Sequence, residues 1–135
     1  MYSLIVQSLV RLLVACCTML VSDLLWLGVV MRNSYGDMAA AVQQRPVRIR
    51  PVPALLAPLL VSTGLWSITL LDGRSWSAEY QKNAVMFGLS VFGVYNLSNF
   101  AVFENWQVST AFIDTIYGTL LCSAVYALLS QISWA

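Results

Sequence analysis

Leu12–Met31 reads LLVACCTMLVSDLLWLGVVM, with Asp23 as its one charge. At about 1.5 Å of rise per residue, a helix of this length matches the roughly 30 Å hydrocarbon core of a bilayer. A surface helix of a soluble domain keeps a polar face, and this run has none, so it reads as a membrane span. The apolar stretch begins earlier, near Leu4, and continues to Met31, interrupted by Gln7, Arg11, Asp23 and a few hydroxyl residues.

The rest of the chain agrees. Of 135 residues, 59% are hydrophobic and 10% charged, with a mean hydropathy of +0.75; soluble domains carry about 25% charged residues. Three further runs are long and apolar enough to cross: Pro53–Leu71, with Pro58 expected to bend it, Ala84–Phe103, and Val108 to about Leu129. The expected fold is all-α, an integral membrane four-helix bundle forming one domain over 1–135. A start with no Lys or Arg before Arg11 lacks the pattern of a cleaved signal, so an uncleaved chain is expected.

Function classes fall away on composition. A net charge of +1 gives no broad basic face for nucleic acid, and the absence of histidine removes imidazole metal ligands and histidine-based triads. Cys16 and Cys17 are adjacent and Cys122 is distant, which is no metal or redox spacing. No metal and no cofactor are expected.

The turn Phe103–Gln107 is short enough to make the last two spans an antiparallel hairpin. The first loop, Arg32–Val52, is longer: Ser34 is a candidate cap for a short helix through Gln44, followed by an extended run rich in proline and arginine. Arg32, Arg45, Arg48 and Arg50 outnumber the two basic residues of the loop Asp72–Asn83, so the positive-inside rule turns the first and third loops inward and both termini outward. Arg11 counts against this orientation if it snorkels to the opposite surface. Trp66, Trp76, Trp106 and Trp134, near span ends, read as interfacial anchors.

Charged groups within a span belong in its interior, with partners. Asp23 lies about 12 Å, and Asp114 about 9 Å, below the same membrane face. The hairpin brings Asn96 level with Asp114, with Asn99 one turn nearer the surface. On the third span Phe92, Asn96, Asn99 and Phe103 share a stripe, with Tyr95 beside it; on the fourth, Thr110, Asp114, Tyr117, Gly118 and Cys122 do; on the first, Cys16, Met19, Asp23 and Trp26. One intramembrane polar cluster of Asp23, Tyr95, Asn96, Asn99, Asp114 and Tyr117 is therefore expected. Its plainest role is helix-to-helix hydrogen bonding. A binding or proton-handling site is the alternative, and a carboxylate-dyad hydrolase is the least supported. Gly88, Gly93 and Gly118 are expected to allow close helix approach. Arg32, Arg45, Arg48 and Arg50 are candidates for lipid head groups or an acidic partner surface.

Asp23-Leu24-Leu25-Trp26-Leu27-Gly28-Val29-Val30, Phe87-Gly88, Tyr95-Asn96-Leu97-Ser98-Asn99, Trp106 and Ile113-Asp114-Thr115-Ile116-Tyr117-Gly118-Thr119 occur together and in order. In this the chain resembles the small predicted membrane proteins grouped as domain of unknown function 2177. The resemblance implies a four-helix membrane protein with its polar motifs where the cluster is expected, and implies no activity. The family's third-helix motif looks like Tyr-Asp-Leu-Thr-Asn, so Asn96 here replaces a titratable group with a hydrogen-bonding one.

The expected function is a non-enzymatic accessory or structural subunit of a larger membrane complex, respiratory or other, in a bacterial inner membrane or the mitochondrial inner membrane. Its expected partners are membrane lipids, cardiolipin among them, and other membrane subunits. The competing expectation is a small-solute or proton transporter or channel, acting as an oligomer through the Asp/Asn/Tyr cluster.

Overall fold

The computed structural model describes residues 2–69 and 76–131, without the side chains of 2–4. Helix α1 spans Tyr2–Leu25 and passes into a π-helical turn, Trp26–Val30, closed by Met31 N–H on the Trp26 carbonyl at 2.8 Å. Short α2 (Arg32–Gln43) follows, then α3 (Pro51–Thr69), α4 (Ala78–Val102) and α5 (Val108–Gln131). Among the described residues, four helices are long and apolar enough to cross a membrane. The protein is an all-α membrane bundle.

The long helices contact in a ring: α1 packs on α3, α3 on α4, α4 on α5 and α5 on α1. The α4–α5 interface is the most extensive, for a local reason. A Cβ on Gly88 would meet Thr119 Cα at 2.8 Å and the Gly118 carbonyl at 2.9 Å, so the two backbones touch where glycine alone fits. The Phe92 ring lies directly on Gly118. Gly93 has only ordinary contact with Thr115 and is not needed for this approach.

Burial runs opposite to that of a soluble protein. Leu13, Leu24, Leu60, Val94, Leu97, Phe112 and Leu120 face outward, while Arg11, Ser62, Thr69, Asn96, Thr110, Asp114 and Ser130 are buried. In lipid this is the favourable sense, because hydrocarbon solvates the apolar face and helix contacts satisfy the polar one. The main core joins Ala15, Met19, Leu65, Ala84, Cys122, Val125, Tyr126 and Leu129; a smaller one, of Met38, Trp106 and Ala111, lies under α2.

Several expectations are corrected. α4 starts at Ala78, not Ala84: Ser77 Oγ accepts from Tyr80 N–H at 3.2 Å, and Tyr126 Oη accepts from Ser77 N–H at 2.9 Å, so Glu79 and Lys82 lie on a helix rather than in a loop. α3 starts at Pro51 and continues through the buried Pro58. Ser34 caps nothing, since α2 begins at Arg32 and Tyr35 N–H bonds the Met31 carbonyl. Arg11 is 6% exposed, enclosed by the bundle rather than extended to a surface. Trp106 is 7% exposed, covered by α2 rather than seated among head groups, and Trp66 packs against the main core; Trp76 is exposed. Leu70, Leu71, Asp72, Arg74 and Trp134 lie outside the described residues.

Candidate functional site

Antiparallel α1 and α5 bring the two aspartates together through aromatic neighbours. Trp26 Nε1 donates to Asp114 Oδ1 at 2.8 Å. Three residues deeper on α1 and three further along α5, Tyr117 Oη donates to Asp23 Oδ1 at 3.1 Å. The Trp26 and Tyr117 rings stack between these bonds, with centroids 4.0 Å apart and planes within 2°. The Phe92 ring meets Tyr117 edge-on.

From α4, Asn96 Nδ2 donates to Asp114 Oδ2 at 2.7 Å and to the Phe92 carbonyl at 3.0 Å. Its Oδ1 accepts from Tyr35 Oη of α2 at 3.3 Å. Asn96 therefore donates and accepts at once, which an ionised carboxylate in its place could not do. Asp114 is 4% exposed and both of its oxygens are occupied. Burial, and after it the nearby Asp114, pushes the Tyr35 phenol up, which keeps it protonated and able to donate.

Of the six residues expected in one cluster, four form two linked pairs, Asp114 with Asn96 and Asp23 with Tyr117. Tyr95 and Asn99 stand to one side: Tyr95 is half exposed, edge-on to Trp106, with Asn99 as its polar neighbour. Arg32, Arg45, Arg48 and Arg50 are all exposed.

Sequence reasoning missed three members. Trp26 was on the stripe of Asp23, but the π turn that begins at Trp26 is where its indole reaches Asp114. A π turn inserts a residue into the helical register and often marks a functional position. Tyr35 and Met38 were hidden in a polar stretch. Met38 Sδ accepts from Gln107 N–H at 3.1 Å, and the Tyr35 ring meets Trp106 edge-on, so α2 is pinned over the α4–α5 turn and roofs the cluster. Their spacing of three, on one helical face, was the signal available.

The arrangement locks three helices and the roof to one another. Among the described residues, no group of histidine, cysteine, aspartate or glutamate side chains is placed to hold a metal ion. No curated protein and no solved structure matches the chain. A family model described as predicted membrane protein (DUF2177) matches residues 8–131, a stretch that takes in Asp23, Asp114, their partners, the last three spans and all of the first from its fourth residue on. The chain belongs to that family.

Proposed function

We propose that the protein is a non-enzymatic accessory or structural subunit, a compact module docked onto a larger membrane assembly of a bacterial or mitochondrial inner membrane. The observation that carries this reading is the saturation of Asp114. A buried carboxyl group with both oxygens bonded to donors from two other segments, under a tyrosine that itself bonds one donor, is engaged in joining helices. Its outward faces are apolar along all four spans, and they meet membrane lipids, cardiolipin among them, and neighbouring subunits. The arginines of the first loop set that loop on the inner side and both termini on the outer.

Extraction in mild detergent followed by native gel migration tests this. The expected result is co-migration with several different subunits in fixed proportion. A homogeneous homo-oligomer, with solute or proton flux lost on Asp23→Asn, would replace this reading with the transporter.

A further inference from the structure

The segment between α2 and α3 carries an arrangement that the bundle does not use. α2 ends where Gln44 enters the left-handed region at φ 53°, and α3 begins at Pro51. Every residue from 44 to 50 is exposed. Arg45, Arg48 and Arg50 alternate there with Val47 and Ile49, and Ile49 is 78% exposed. No other charged residue lies between Asp37 and Asp72, and among the described residues none pairs with these three guanidinium groups.

Their position opposes the chain's own electrostatics. The N-terminus of a helix is its positive end, so acidic side chains are favoured there and cations are not. α3 has no acidic residue in its first turn, and Arg48 and Arg50 lie immediately before it. The fold gains nothing from gathering cations at that end, and a local rule broken without internal compensation points to an external partner. That partner is an anion.

Location selects which anion. The segment leads from α2 into the span α3, and Met38 fixes α2 to the α4–α5 turn; a turn that joins two spans belongs at the head-group level. A soluble phosphate would meet the guanidinium groups but leave Val47 and Ile49 in water. A phospholipid accommodates both, with phosphate for arginine and the acyl boundary for the apolar side chains.

We propose that 45–50 is an anionic-phospholipid site, in which Arg45, Arg48 and Arg50 hold head-group phosphates while Val47 and Ile49 seat at the acyl boundary. This deepens the lipid contact of the proposed role and rests on α1 and α3 crossing the membrane, not on the identity of any larger assembly.

The test begins with carbonate extraction of membranes holding the full chain, which is expected to stay in the pellet. The protein is then purified in neutral detergent and titrated with phosphatidylglycerol or phosphatidylcholine, and bound lipid is counted by native mass spectrometry. The wild type is expected to prefer phosphatidylglycerol by about tenfold or more, and the triple variant R45Q/R48Q/R50Q to lose that preference. The variant R45K/R48K/R50K is expected to keep most of it, and excess inorganic phosphate to leave it unchanged. Equal binding of the two lipids by the wild type, a preference that survives in the glutamine variant, or displacement by inorganic phosphate would each overturn the site alone. Release of the chain by carbonate would overturn the membrane placement and the site together.

Discussion

Asp23 and Asp114 lie on facing helices, three residues apart in register, and are treated very differently by the fold. Asp114 faces α4, where glycine lets the backbones touch, and Asn96 reaches it from there while Trp26 reaches it from the other side. Asp23 is half-buried and, among the described residues, accepts from Tyr117 alone. Close helix approach decides how many donors surround a carboxyl group. Asp114 ties segments together, whereas Asp23 retains an oxygen for something else.

Asp114→Ala should have the largest effect on this contrast. It leaves the Trp26 N–H without its acceptor and takes from the Asn96 amide one of its two acceptors inside the bundle, at a cost of about 3 kcal/mol. Unfolding in detergent followed by near-ultraviolet circular dichroism, which reports the stacked Trp26, is expected to show that loss. A loss below about 1 kcal/mol would make the two aspartates equivalent.

Asn96→Asp sharpens the comparison. The substitution places a second carboxyl group 2.7 Å from Asp114 where an amide donor stood. The bond from residue 96 to Asp114 loses its N–H donor, and two like groups meet inside the bundle in its place. The melting temperature of the variant should therefore fall, by the equivalent of about 2 kcal/mol. An unchanged melting temperature would show that residue 96 does not touch Asp114.

Much of this geometry was legible before any coordinates, because two lengths govern it: hydrocarbon thickness fixes the number of spans, and helical rise fixes the depth of each residue. Asp114 and Asn96 were level by that arithmetic, and they bond. Trp26 was not legible as a ligand of Asp114, since a π turn changes the direction of side chains and leaves no hydropathy signal. Tyr35, Met38 and Trp106 were obscured for a related reason: the short helix expected before Gln44 is polar, so nothing in its sequence required it to fold back over a tryptophan. The apolar run places the start of α4 at Ala84 because it marks the edge of the oil, whereas the helix is capped seven residues earlier, at the polar Ser77.

The smallest effect expected is that of Asp23→Asn, below about 1 kcal/mol, because the amide oxygen still accepts from Tyr117. Tyr117→Phe, which keeps the stack on Trp26 and removes the hydroxyl, should cost about 0.6 kcal/mol. Measured as a double-mutant cycle with Asp23→Ala, which removes the acceptor, Tyr117→Phe isolates the one bond between α1 and α5 at Asp23, and a coupling of that size accounts for the residue as a modest helix contact. A cost for Asp23→Asn as large as that for Asp114→Ala would mean that the remaining Asp23 oxygen is held by a strong donor supplied from outside the described residues. The contrast between the aspartates would then belong to the isolated chain and vanish in its assembled state.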